Sequence, residues 1–138
     1  MGAEMVAGSD SSSDSARLVA RLEVQRRETL DLIDPLDSLQ FNWRPGSDRW
    51  SVGQCLDHLN QTNGKLLPVL EQEIARGWHR DQTAAGPFRY GLFARWFRDS
   101  MRPDFKKPLK SPRIYRPEVS RLDMAQVADE FDHSLEAL

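Results

Sequence analysis

Cysteine is almost absent from this chain: Cys55 is the single one among 138 residues. An internal disulfide framework is therefore excluded, and the expected location is a reducing cytoplasm. Long apolar runs are missing too, with none near the roughly 20 residues a bilayer-spanning helix needs, so no membrane partner is expected. Neither sign of charge dominates, because 19 Lys and Arg stand against 21 Asp and Glu for a net charge of −2. That balance gives no overall pull toward nucleic acid, and none is expected as a partner. No Gly-rich phosphate loop, nucleophile elbow, H-E-x-x-H or Cys-x-x-Cys motif occurs. The N-terminus lacks the basic and apolar regions of a secretory signal, and Met1-Gly2-Ala3-Glu4-Met5-Val6 lacks the Ser or Thr that myristoylation needs. Neither a convincing strand pattern nor an internal repeat is found.

What is there suits a single globular domain, with 39% hydrophobic and 29% charged residues. Residues 1–15 are small, polar and acidic, and are expected to form a disordered tail ahead of a helical domain over 16–138. A first helix is predicted from near Ser15 or Ala16, carrying Leu18, Val19, Leu22, Leu30, Ile33 and Leu36 at helical spacing. Pro35 ends it or forces a short restart through Leu39, and residues 40–50 read as a loop. A second helix is predicted from Val52 to about Arg76 with Gly77 as its C′ residue, kinked at Pro68. Its expected apolar stripe runs through Val52, Cys55, Leu56, Leu59, Asn63, Leu66, Leu70 and Ile74. Phe88 to Met101 reads as an amphipathic helix. Arg102 to Pro117 holds four prolines and six basic residues, which implies an extended basic crossover. Ser120 is the expected N-cap of a last helix with Leu122, Ala125, Ala128, Phe131, Leu135 and Leu138 on its buried face. The chain then stops within an apolar helical pattern, as if a further helix were missing.

Asn42–Leu59, NWRPGSDRWSVGQCLDHL, is the most informative stretch. Ser51 can cap a helix start, and Gln54 at N3 can reach back to the Ser51 amide to complete a capping box. Trp50 can staple onto Cys55 at N4. His58 follows on the second turn, roughly 120° from the centre of the apolar stripe, where a side chain can face a cleft between helices. Imidazole there suits a borderline-soft divalent ion such as Zn²⁺ or Ni²⁺. The alternative is a half-buried histidine hydrogen-bonded to a neighbour.

The other candidates are weaker. His79 in a loop and His133 on the outer face of the last helix are expected to be solvated. Asp57 and Asp132 could orient neighbouring imidazoles, but adjacent helical residues diverge by about 100°, so surface charge is the expected role. Cys55 is expected to be a small core filler. The segment 88–116 interleaves aromatics with Arg and Lys, a mixture that can bind single strands, lie at a membrane surface or close over a pocket. The reading preferred here is bundle packing by the aromatics and a solvated basic loop.

The pattern Trp43-x-Pro45, a polar turn, Trp50-Ser51-Val52-Gly53-Gln54 and Asp57-His58-Leu59 resembles the DinB-like superfamily. That resemblance implies an all-α, up-and-down four-helix bundle with a long crossover, its final helix missing here. Members often bind a divalent metal through three histidines, the first matching His58 and the other two forming an H-x-x-x-H pair that this chain lacks. By resemblance the chain is a metal-dependent enzyme, a thiol-dependent transferase or hydrolase. Its implied partners are a small electrophile and a low-molecular-weight thiol such as bacillithiol or mycothiol. The competing expectation is a non-catalytic helical module that forms a homodimer through an uncovered apolar stripe.

Overall fold

The computed structural model describes residues 10–82, 91–102, 104–106 and 110–137, with side chains from Ser15 onward. Within them the secondary structure is entirely helical. The elements are α1 (Asp10–Ile33), α2 (Ser38–Asn42), α3 (Val52–His79), α4 (Leu92–Ser100), a 3-10 turn (Arg113–Tyr115) and α5 (Met124–Glu136).

Helix α1 begins at Asp10, ahead of the expected start near Ser15, so residues 10–15 of the predicted tail are helical; residues 1–9 lie outside the described ones. Pro35 ends α1 after Ile33, and the chain restarts as α2. The restart, expected as a short turn through Leu39, runs on to Asn42 and has its own capping box. The Asp37 carboxylate accepts from the amides of Leu39 and Gln40, each at 2.8 Å, while the Asp37 amide donates to Gln40 Oε1 at 3.0 Å. Two reciprocally satisfied ends hold even this single turn.

The α3 capping box forms as expected. Ser51 Oγ accepts from the Gln54 amide at 3.1 Å, and the Ser51 amide donates to Gln54 Oε1 at 3.2 Å. Helix α3 passes through Pro68 and continues to His79, past the expected stop at Gly77. Its end is a Schellman motif: the Gln82 amide donates to the Gly77 carbonyl at 3.0 Å and the Asp81 amide to the Trp78 carbonyl at 3.2 Å. The left-handed residue is Asp81, at φ 51°. Gly77 therefore stands inside the last turn, and Asp81, one of the few non-glycine residue types that enter the left-handed region, takes the C′ position. Helix α5 is capped by Asp123, whose carboxylate accepts from the Gln126 amide at 2.8 Å, and not by Ser120.

The core is small. Ile33, Phe41, Leu56, Val127 and Phe131 are buried, with Leu30, Leu36, Leu122, Met124, Ala128 and Leu135 packed around them. Phe41 has no exposed surface and lies under the first turn of α3. A Cβ at Gly53 would stand 2.5 Å from Phe41 Cε1, which explains the glycine of the W-S-V-G-Q run. Asn42 brackets the approach to α5: its Nδ2 donates to the Leu122 carbonyl at 2.9 Å and its Oδ1 accepts from the Leu122 amide at 2.7 Å.

Helix α5 lies beside α3 and runs in the same direction. Asn60 Nδ2 donates to the Val127 carbonyl and Asn63 Nδ2 to Ser134 Oγ, both at 3.0 Å. A parallel return of this kind requires the long crossover between α3 and α5. Helix α5 is 13 residues long and α3 is 28. At about 1.5 Å per residue, the shorter helix leaves much of α3 uncovered. Hence the expected stripe on α3 is buried only at Leu56, while Val52, Leu59, Leu66, Leu70 and Ile74 are exposed. Cys55 is exposed as well. On α5 the buried positions are Val127 and Phe131, Ala125 is exposed, and Leu138 lies outside the described residues. The apolar face of α4 is also open at Leu92, Phe93, Trp96, Phe97 and Met101, with only Ser100 buried.

Candidate metal-ligand site at His58

The capping box that starts α3 sits in the protein interior, since Ser51 is 1% and Gln54 5% exposed. Gln54 does two jobs there. Its Oε1 closes the cap and its Nε2 donates to the Val119 carbonyl at 3.2 Å, tying the crossover to the helix. His58 lies one turn further along the same face and is half-buried.

The His58 ring is held from two sides. Its Nδ1 lies 2.5 Å from the carbonyl oxygen of Tyr115, and the Trp50 ring stands 5.1 Å away, centroid to centroid, tilted by 51°. A carbonyl can only accept, so Nδ1 carries the proton and donates. The lone pair of the neutral ring is then on Nε2, which makes no hydrogen bond among the described residues. Metal-binding histidines are commonly arranged in this way, with the non-ligating N–H given to a carbonyl that fixes tautomer and ring orientation. His58 thus fits as one nitrogen ligand. Among the described residues no group of three or more His, Cys, Asp and Glu comes together to complete a set.

The remaining sequence candidates stand apart from His58. His79 is the last residue of α3, not a loop residue, and is exposed. His133 is exposed, as expected; its Nδ1 donates to the Asp129 carbonyl at 2.8 Å, and that bond with the nearby Asp129 carboxylate raises its pKa. Asp57 accepts from Gln61 Nε2 at 2.7 Å, within its own helix. Asp132 is not an imidazole partner; it is a part-exposed charge near the surface, as expected, but an ion-paired one. It receives two bonds from Arg26 of α1, Nε to Oδ1 at 2.6 Å and Nη2 to Oδ2 at 3.0 Å. The guanidinium holds the Asp132 carboxyl below its ordinary value. Cys55 is not a core filler, although partial burial still pushes its thiol pKa up, opposite to the shift a reactive thiolate needs.

Of the segment 88–116, residues 88–90, 103 and 107–109 lie outside the described ones. The Tyr115 ring lies beneath Lys65 Nζ at 4.9 Å, so this aromatic packs on α3 through a cation–π contact. Phe93 and Trp96 lean on each other at 5.8 Å on the open face of α4.

The buried capping box, the glycine against Phe41 and the inward histidine are the features that the W-S-V-G-Q-x-x-D-H run encodes. The sequence profile of the DinB superfamily matches residues 21–138. This chain belongs to the DinB superfamily. No curated protein and no solved structure matches it. Within this DinB-superfamily bundle a groove lies away from His58, between α1, α3 and α5. It has a volume of about 520 Å³ and is lined by apolar Leu22, Leu59, Phe131 and Leu135 together with polar Gln25 and Asn63. Sequence reasoning found His58 but missed its partners. Tyr115 contributes a backbone carbonyl, which no side-chain pattern reports, and Lys65, which holds the same turn, carries no motif that singles it out.

Proposed function

We propose that this DinB-superfamily protein is a divalent-metal-dependent enzyme, a thiol-dependent transferase or hydrolase, with His58 as one ligand to Zn²⁺ or Ni²⁺. The observation that carries the reading is the Nδ1–H bond to the Tyr115 carbonyl, which leaves the Nε2 lone pair available. Three protein ligands are usual for a catalytic site, and His58 supplies one of such a set. A bound divalent ion supplies a lowered pKa for coordinated thiol or water. The chain's own part is to hold the imidazole: Trp50 limits the ring on one side and the Tyr115 carbonyl fixes its proton on the other. A small electrophile and a low-molecular-weight thiol are the substrates of the proposed reaction.

Metal analysis of the purified protein after incubation with Zn²⁺ or Ni²⁺ and desalting tests this reading. One ion per site is expected, lost in His58→Ala. An equal metal content in both proteins would rule out His58 as a ligand.

The uncovered apolar faces favour a second reading, a non-catalytic module that forms a homodimer. Leu66, Leu70 and Ile74 on α3 are exposed, as is the apolar face of α4, and an uncovered apolar patch of several hundred Å² favours association. Sedimentation velocity distinguishes the outcomes: a dimer without bound metal supports the module, and a metal-loaded monomer excludes it.

A further inference from the structure

The crossover is strapped to one face of α3 by three side chains, each donating to a backbone carbonyl. Gln54 donates to Val119 at 3.2 Å, His58 to Tyr115 at 2.5 Å, and Lys65 Nζ to Ile114. Positions i, i+4 and i+11 fall within about 40° of one another on an α-helix, so the straps form one line. The 3-10 turn they hold is opened by Pro112, whose carbonyl accepts from the Tyr115 amide at 3.0 Å. Lys65 grips this turn twice, through the Ile114 carbonyl and through the Tyr115 ring face at 4.9 Å. A cation over a tyrosine ring at such a distance is attractive.

The consequence falls on the His58 proton. Histidine free in water carries its proton mostly on Nε2, the nitrogen that must be bare for ligation from that side. The Tyr115 carbonyl reverses this preference only while the turn stays in place. We propose that Lys65 and the Tyr115 ring are positioning residues for His58, pinning the 3-10 turn so that the imidazole proton stays on Nδ1 and Nε2 keeps its lone pair. The proposal deepens the reading of His58 as a ligand, but the tautomer itself requires no metal. Lys65 acts through its charge and its donor, so Lys65→Arg retains the grip and Lys65→Met releases it. Tyr115→Leu keeps the carbonyl but removes the ring face, and it should release the turn independently.

Imidazole ¹⁵N shifts of the full chain at about pH 8.5, roughly two units above the ordinary histidine pKa, report the tautomer directly. His58 is expected to be Nδ1–H in the wild type and in Lys65→Arg. In Lys65→Met and in Tyr115→Leu the Nε2–H population should rise several-fold. Titration with Ni²⁺ should show affinity falling about tenfold in the same two variants and preserved in Lys65→Arg, as expected for loss of support to a ligand. An Nε2–H tautomer in the wild type, or a tautomer unchanged in both releasing variants, overturns the proposal. If the tautomers shift as expected while Ni²⁺ binds none of the proteins, the positioning role stands and the metal reading of His58 fails.

Discussion

At the residue scale, Gly53 and Asp132 show how much one position can carry. The Gly53 backbone presses on the fully buried Phe41 ring, and a methyl there would meet two ring carbons at 2.5 and 2.9 Å. Phe41 lies in the core and cannot swing away, so Gly53→Ala should destabilise the protein by about 1–3 kcal/mol, the usual cost of overpacking. Urea denaturation checks this, and the midpoint should fall without a change of slope. Asp132 is joined to Arg26 by a two-pronged bridge between α1 and α5. Because the folded-state pKa of Asp132 lies below its ordinary value, the bridge contributes fully above that ordinary value. Its contribution is lost as pH falls through the lower folded value. Asp132→Asn should therefore flatten the acid side of the stability–pH curve below about pH 4. His133 has the opposite sign. Its folded pKa is raised by Asp129, so its contribution is present below the ordinary histidine value and disappears as pH rises through the folded one. His133→Gln should weaken the protein at pH 5 relative to pH 8, as seen in paired denaturation curves.

At the element scale, the helix ends are decided by short polar side chains. Ser51 Oγ satisfies the buried Gln54 amide. Ser51→Ala removes the cap and leaves that donor unpaired in the interior, so a loss of about 1–2 kcal/mol is expected in chemical denaturation. Gln54 has a second bond to the Val119 carbonyl, and Gln54→Ala should also loosen the crossover. Faster amide exchange around residues 113–119 would register that. At the far end of α3, Asp81 occupies the left-handed region, where glycine carries no steric penalty. Asp81→Gly should therefore raise stability, by about 1 kcal/mol at most, and a higher thermal midpoint would confirm it. The α3 start was legible in the sequence because S-x-x-Q is a local signal between near neighbours. The α2 start follows the same rule in D-x-x-Q form; the restart after Pro35 was legible, and only its extension past Leu39 to Asn42 was not. The α3 stop was misplaced because Gly77 is the usual left-handed residue, whereas Asp81 took that role four residues later. Asp123 displaced Ser120 as the α5 cap for a related reason: several residues near 120 can cap, and only the path of the crossover selects one.

At the scale of the whole molecule, the all-helical class and the position of His58 could be read from periodicity and capping alone. Which apolar residues are covered could not. Spacing marked Cys55, Leu59, Leu66, Leu70 and Ile74 as one stripe with Leu56, yet only Leu56 is buried, because α5 reaches only part of α3. Burial is a property of what lies opposite, and the length of the opposing helix is not written in the stripe. The same uncovered surface predicts concentration-dependent association. A single aspartate at Leu70, in mid-stripe, should shift sedimentation toward the monomer if the α3 face mediates contact.

Local interactions, all within a few residues, are what the sequence by itself determined: the helical class, the capping box ahead of His58, the break at Pro35 and the irregular crossover. They follow from backbone donors, proline geometry and helical periodicity, which need no knowledge of the rest of the chain. Only the tertiary structure decided the Arg26–Asp132 bridge, the Phe41 ring against Gly53, and the Tyr115 carbonyl that sets the His58 proton. Each joins groups distant in sequence, and a backbone carbonyl or a bare Cα carries no side-chain signature from which such a meeting could be inferred.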